Sequence, residues 1–382
     1  MTQALATFSE HDGSRRPQID AHDTDLASAL SRAAEILSHA RRPLFSGLAT
    51  DVAGARALYE LAAHSSAIVD HMHGDSLAAS TLALQDRGAL FTTLSEIRSH
   101  ADLIVVIACE PSRRYPRFYE RVLESERQAS IVFVGCKAAH AANHSAAPHA
   151  DVMLEDADTF DILALWSALV EGRNAEAFPD TRTAHALDAL TKRIHAARYT
   201  AFIYEPATLP APHAALAIEA INRIVKTINR TVRAGALALG GDDGALTVNQ
   251  TVTWLSGFPL RTRIAYGLPL DHDPHRYRTD DMLRRREIDT FLWISSFEPQ
   301  PLPSSLDDDI PAIILGHPAT MLVERKAPTV FIPVATPGMD SSGHLFRVDA
   351  SVVVPIVPAR NAGLPSVAAI VGELISAARS SS

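Results

Sequence analysis

Two rhythms of apolar and polar positions alternate along the first half of the chain. In LASALSRAAEILSHA the apolar residues recur every three or four positions, which predicts a helix. RPLFSG follows as a strand, GARALYELAAHS as a helix and AIVD as a second strand. DLIVVIAC has no polar interruption and suits the buried centre of a parallel sheet. RFYERVLESER predicts a helix, IVFVGC a strand and DVMLE a short strand. This repeated β-α-β order predicts an α/β protein with a doubly wound parallel sheet.

The order then recurs. HARRPLFSGLAT, from His39, is similar to HAARYTAFIYEPAT, from His195. SHADLIVVIACEPS is similar to REIDTFLWISSFEPQ, and in both a strand runs into an acidic residue and proline, Glu110-Pro111 and Glu298-Pro299. IVFVGC then DVMLE is similar to AIILGH then TVFIPV. Two similar α/β units are expected, over 25–185 and 186–337, the second holding a long insert at 233–281. Residues 338–382 are expected to give a strand and a helix that pack back on the first unit. Residues 1–24 form a polar tail, expected to be disordered by itself.

Composition narrows the function. Of 382 residues, 47% are hydrophobic and 21% charged, with a formal net charge of −9. No basic block dominates, which argues against nucleic acid and anionic membranes as partners. The two cysteines, Cys109 and Cys136, each end an apolar run, and no CxxC is present. A cysteine-bound iron–sulfur cluster and a four-cysteine zinc site are therefore excluded, and buried free thiols are expected. The N-terminal residues lack the apolar core of a signal peptide, and no apolar run reaches membrane-spanning length, so a cytoplasmic location is expected.

Chemistry is sparse. His71 and His73, in AIVDHMHGDS, lie at i and i+2 after a strand, a spacing that can aim two imidazoles at one ion. D-H-x-H resembles the D-x-H-x-H start of metal-dependent amidohydrolases. The later strand ends, however, offer Cys109, Cys136, Ser295 and Gly316 rather than further ligands. A hydrogen-bonded loop pair is expected, with a metal-dependent hydrolase using His71 and His73 as an alternative. Asp271, His272 and His275 in DHDPHRYR are a weaker candidate set in a polar loop. GALALGGDDG lacks GxGxxG and a Walker lysine, so it reads as a flexible insert rather than a phosphate cradle. Asp307 to Asp309 and Arg284 to Arg286 read as solvated surface. No G-x-S-x-G and no H-E-x-x-H occurs.

Several stretches together resemble the B subunit of formylmethanofuran dehydrogenase, in the molybdopterin oxidoreductase superfamily. They are ILSHARRPLFSG, AIVDHMHGDSLAASTLALQDRGALFTTLSEIRSHADLIVVIACEP with YPRFYER after it, NQTVTWLSGFP, DMLRRREIDTFLWISSFEP and APTVFIPVATPGMDSSGHLFRVD. They keep the family order from about residue 30 to 350. The resemblance implies two similar doubly wound parallel-sheet units with the family's iron–sulfur domain missing. It also implies departures. Where the family has its metal-ligating cysteine or selenocysteine followed by His-Gly, this chain has Met72, His73 and Gly74. A thioether cannot lose a proton to become a thiolate ligand. Arg233 matches the family's active-site arginine, about seven extra residues separating it from the NQ-TW segment.

The resemblance thus points to the degenerate B subunit of the bacterial formyltransferase/hydrolase complex of one-carbon metabolism. That complex converts formyl-tetrahydromethanopterin to formate through a methanofuran-type carrier. The implied role is a non-catalytic scaffold without a cofactor or metal. Its partners would be the other subunits, especially the amidohydrolase-type subunit. Met72, His73 and Arg233 would be the remnant of a metallopterin pocket. The alternative is a pocket-retaining enzyme or carrier-binding subunit that uses His73 and Arg233.

Overall fold

A computed structural model describes residues 14–123, 129–137 and 150–380. Among the described residues, sixteen strands follow in chain order. The first four are β1 (Gln18–Ile19), β2 (His22–Asp23), β3 (Pro43–Ala49) and β4 (Ile68–Val69). Next come β5 (Leu103–Ile107), β6 (Ser130–Val134), β7 (Ala150–Met153), β8 (Tyr199–Tyr204) and β9 (Arg233–Ala238). Then follow β10 (Thr262–Ala265), β11 (Leu268–His272), β12 (Thr290–Ser295), β13 (Ala312–Gly316) and β14 (Thr329–Pro333). The last two are β15 (Gly343–Phe346) and β16 (Val353–Ile356).

The chain folds as two units: Met1–Leu77 with Gly241–Ser382, and Ala78–Gly240. The first holds a nine-stranded sheet in the order β11-β10-β4-β3-β12-β13-β14-β1-β2. Its five central strands are parallel, and antiparallel strands flank them on both sides. β12 shows how the period of two builds two cores. Leu292 and Ile294 join Phe45, Ile313 and Ile332 on one face, under the helices Leu26–His39, Val52–Ser65 and Val367–Ser380. Phe291 and Trp293 join Leu44, Ile314 and Phe331 on the other. Each such fully buried side chain contributes about 1.5–3 kcal/mol.

The second unit holds a five-stranded, all-parallel sheet in the order β7-β6-β5-β8-β9. Helices Thr159–Val170, Thr181–Ala196 and Ala214–Ile228 cover one face, where Trp166, Leu187 and Ile221 meet Val105, Val132 and Phe202. Among the described residues no helix is long and apolar enough to cross a membrane.

Three boundaries differ from the sequence expectation. The units are not consecutive, because β8 and β9 pair into the sheet of β5 rather than starting a new one at residue 186. Similar segments mark similar strands, but they do not say which sheet each strand joins. The stretch 233–281 is not a structureless insert: it contains β9, the helix Ala245–Ser256, β10, β11 and the start of a helix at Thr279. Part of the tail is ordered, since β1 and β2 form a hairpin and β1 pairs antiparallel to β14, Gln18 opposite Phe331. Residues 1–13 of that tail, and residues 124–127 of the expected helix RFYERVLESER, lie outside the described residues.

A local device recurs in both units. Asp289, just before β12, accepts the backbone N–H groups of Arg41 and Arg42 at the start of β3, at 2.8 and 3.1 Å. Asp102, just before β5, accepts those of Arg198 and Tyr199 at the start of β8, both at 3.0 Å. In each case one carboxylate satisfies two donors that precede a parallel strand's ladder.

Candidate functional site

The segment Asp70–Asp75 leaves the carboxyl end of β4 and turns at once into the helix Gly74–Arg87. Asp70 N–H donates to Phe45 O at 3.0 Å and Met72 N–H to Gly47 O at 3.2 Å, so the loop stays zipped to β3. Asp70 is 1% exposed and makes the loop's central contacts. Its Oδ1 accepts from His71 N–H at 2.9 Å and from Arg261 Nε at 3.2 Å. Its Oδ2 accepts from Thr279 N–H at 2.9 Å and Oγ1 at 2.8 Å, and Ser46 Oγ lies 2.8 Å from the same hydroxyl. Burial pushes the Asp70 carboxyl up, while Arg261, Thr279 and His71 act in the other direction.

Arg261 is 4% exposed and has φ +69°. Its Nη1 donates to Pro274 O at 2.5 Å and its Nη2 to Asp75 Oδ1 at 2.6 Å. Arg278 grips the same Asp75 through Nε at 2.8 Å and Nη2 at 2.7 Å. Burial alone would raise the Asp75 carboxyl, but the hydrogen bonds of Arg278 and Arg261 outweigh it and hold it below its usual range. Asp75 also sits in the first turn of its helix, where the dipole favours a negative charge. Gly74 is required by close approach, because a Cβ there would lie 2.2 Å from Asp70 Oδ1 and 3.0 Å from Arg261 Nη2.

The two histidines are linked to each other and both reach Asp243, His71 its backbone carbonyl and His73 its carboxylate. His71 Nδ1 accepts from the N–H of His73 at 3.0 Å, so its proton belongs on Nε2, which donates to Asp243 O at 3.2 Å. Burial, with His73 beside it, lowers its pKa to about 3 and keeps the ring neutral. His73 Nε2 lies 2.8 Å from Asp243 Oδ2, and the two rings are 5.5 Å apart. Asp243 reaches them from the turn GGDDG. That turn needs φ +105° at Gly241 and +71° at Gly244, and a Cβ on Gly244 would lie 2.4 Å from Thr50 O. The glycines therefore fix a tight packed turn and not a flexible insert. Burial, with Asp243 and Asp242 nearby, pushes the Glu298 carboxyl up.

Met72 is partly buried and packs against the apolar cluster that includes Leu44, Ile68 and Trp293. Arg233 belongs to the other unit, exposed at the amino end of β9. Asp271, His272 and His275 do not converge. Asp271 accepts from Tyr277 Oη at 2.7 Å, His272 Nδ1 lies 3.1 Å from Arg261 O, and the His275 side chain is exposed. Among the described residues no three His, Cys, Asp or Glu side chains are grouped so as to hold a metal. The acidic run is paired as well as solvated, Asp307 with Arg286 at 2.6 Å and Asp308 with Arg325 at 3.6 Å.

A molybdenum or tungsten pterin is implied by the resemblance, and the donors present do not fit its metal. The thioether of Met72 carries no ionisable proton and is spent on packing. His71 uses both ring nitrogens, one on the His73 amide and one on Asp243 O, and Asp243 occupies Nε2 of His73. Both thiols lie in the second unit, where burial pushes each of them up and away from the thiolate form. The hydroxyls of Thr50, Ser295 and Thr320 are buried at the carboxyl ends of β3, β12 and β13 without a protein partner, but a neutral hydroxyl is no substitute for a thiolate.

Residue-by-residue reading singled out His71 and His73 but missed Asp70, Asp75, Asp243, Arg261 and Arg278. Asp70 and Asp75 flank the motif in D-H-M-H-G-D and could have been noticed. Arg261 is 191 positions from Asp70, with no local signal to connect them.

No family model matches the chain. It is 27% identical over 340 residues to the B subunit of the formyltransferase/hydrolase complex Fhc of Methylorubrum extorquens, covering 85% of this chain and 86% of that one. It is 23% identical over 361 residues to the B subunit of the tungsten-containing formylmethanofuran dehydrogenase 2 of Methanocaldococcus jannaschii, covering 88% and 79%. The counterpart in Methanococcus maripaludis is also 23% identical, over 365 residues. Its fold matches a chain in the crystal structure of the Methylorubrum extorquens formyltransferase/hydrolase complex with methylofuran, at a TM-score of 0.79 and 22% identity, over 96% of this chain and 99% of that one. Along most of its length the chain is thus similar to the B subunits of formylmethanofuran dehydrogenase and of the formyltransferase/hydrolase complex.

Proposed function

We propose that this chain is the B-type subunit of a formyltransferase/hydrolase complex in one-carbon metabolism, and that it is a scaffold rather than a catalyst. The complex would convert formyl-tetrahydromethanopterin to formate through a methanofuran-type carrier. Its other subunits, the amidohydrolase-type subunit above all, would be the partners, in the cytoplasm. The similarity along most of both chains to the B subunit of that complex supports membership. The single observation that carries the scaffold reading is the state of the loop after β4. Met72 stands at the position of the family's metal-ligating cysteine and is an apolar packing residue, while His71 and His73 are tied to Asp243.

On this reading the loop is the remnant of a metallopterin pocket of the molybdopterin oxidoreductase superfamily, held by an internal polar network. The matching Asp289 and Asp102 devices support a second proposal, that the two units descend from one repeated element. Isolation of the native protein from cells tests membership: the other subunits of the complex are expected to co-purify. Elemental analysis of that preparation tests the scaffold reading, with less than a tenth of an equivalent of tungsten, molybdenum or iron per molecule of this chain expected. About one equivalent of tungsten or molybdenum would overturn it.

A further inference from the structure

The second unit contains a cavity that the loop after β4 does not use. Its volume is about 490 Å3, and it opens at the amino ends of β8 and β9. One wall is the segment Leu90–Thr92, which runs along the outer edge of β9: Ala236 N–H donates to Leu90 O at 2.8 Å and Thr92 N–H to Ala236 O at 3.0 Å. This pins Phe91 beside the opening with 59% of its surface exposed, unusual for a phenylalanine held by backbone pairing on both sides. The floor exists because residue 235 is glycine. A Cβ there would lie 2.7 Å from Tyr199 Oη and 2.8 Å from Thr92 Cβ, so only glycine lets the Tyr199 ring lie over β9.

The cavity carries both signs of charge. The Arg233 side chain lines it without a hydrogen bond or ion pair among the described residues, while its charge acts on the Tyr199 phenol. Arg198 is already balanced by Asp102, 3.5 Å away. Glu96, the carboxylate of the lining, accepts from Thr92 Oγ1 at 3.3 Å. Burial lifts the Tyr199 phenol to about 12, and its hydroxyl is already engaged by Thr92 and Glu96. An unengaged guanidinium next to an exposed aromatic ring matches a planar anion: the fork takes two oxygens of a carboxylate, and the ring takes a flat apolar body.

We propose that this cavity binds a small aromatic or heteroaromatic carboxylate, its carboxylate on Arg233 and its ring against Phe91. The inference does not depend on the scaffold reading, which rests on the loop after β4; Arg233, which the resemblance matches to the family's active-site arginine, lies in the other unit. It is tested by calorimetric titration of the full chain with benzoate, with acetate and benzyl alcohol as probes of the anion and the ring alone. Benzoate is expected to bind with Kd of about 1 mM, and at least tenfold more tightly than either fragment. Arg233→Gln, at an exposed position that leaves the circular dichroism spectrum unchanged, is expected to weaken benzoate at least tenfold. Phe91→Ala is expected to weaken benzoate severalfold and leave acetate unaltered. Benzoate binding that is undetectable at about 10 mM, or equal in the wild type and Arg233→Gln, would overturn the proposal. Benzyl alcohol binding as tightly as benzoate would overturn it too.

Discussion

Nε2 of His73 lies 2.8 Å from Oδ2 of Asp243, a residue 170 positions later that a glycine-rich turn delivers. The pair ties the loop after β4 to the start of the helix Ala245–Ser256. Its geometry serves to close the loop. His73→Ala is therefore expected to leave the activity of the assembled complex within about twofold of wild type. The loss of stability should be near 1 kcal/mol, as for one partly exposed polar pair. Steady-state assay of the reconstituted complex checks the first, and urea unfolding of the chain the second. A fall in activity of a hundredfold with normal assembly would assign His73 a chemical role.

Met72 should tolerate a change of chemistry but not of volume. Met72→Leu keeps the apolar packing against the cluster that includes Leu44, Ile68 and Trp293, and is expected to cost less than about 1.5 kcal/mol with full complex activity. Met72→Asp puts a carboxylate against that apolar face and should cost several times more. Chemical unfolding of the two variants side by side distinguishes packing from any function of the sulfur.

His71 predicts an acid-sensitive loop. Its folded-state pKa of about 3 lies below the unfolded value near 6.5, with burial the main cause and His73 and Asp243 both facing it. Between these values the unfolded chain binds the extra proton. The stability held above pH 6.5 is therefore lost progressively as pH falls toward 3, on the order of a few kcal/mol in all. Urea midpoints from pH 7.5 to 5 should fall in the wild type. In His71→Gln, which cannot titrate, the same curve should be flatter by the contribution of one group.

Asp70 and Arg261 form a buried ion pair whose single loss strands a charge. Asp70→Asn should cost about 3–5 kcal/mol, most of it the penalty on an uncompensated Arg261. Asp70→Asn combined with Arg261→Met should recover part of that cost. If the double variant is as unstable as the two single losses added together, Asp70 acts mainly through Thr279 and the His71 amide instead.

Asp289 and Asp102 make a paired experiment. Each accepts two backbone donors ahead of a parallel strand, so each Asp→Ala change leaves two N–H groups without that acceptor. A loss of about 1–3 kcal/mol is expected at either position. Amide exchange should accelerate first at Arg41 and Arg42 in one variant, and at Arg198 and Tyr199 in the other. An unchanged exchange pattern would remove the shared role assigned to the two aspartates.

The sequence by itself determined the elements. Uninterrupted runs such as DLIVVI and TFLWIS could only be buried strands, and the spacing in LASALSRAAEILSH could only cover a sheet with one face, because local burial patterns follow directly from the periods of helix and strand. It also determined, at position 72, that no thiolate follows β4. Tertiary structure decided which strands share a sheet. β8 pairs with β5 and β12 with β3, pairings between segments 97 and 247 residues apart that are set by side-chain fit and not by local pattern. It likewise decided what holds the loop: Arg261, Thr279 and Asp243 reach Asp70, His71 and His73 only after the chain has folded back on itself, and nothing near any of them in sequence marks the partner.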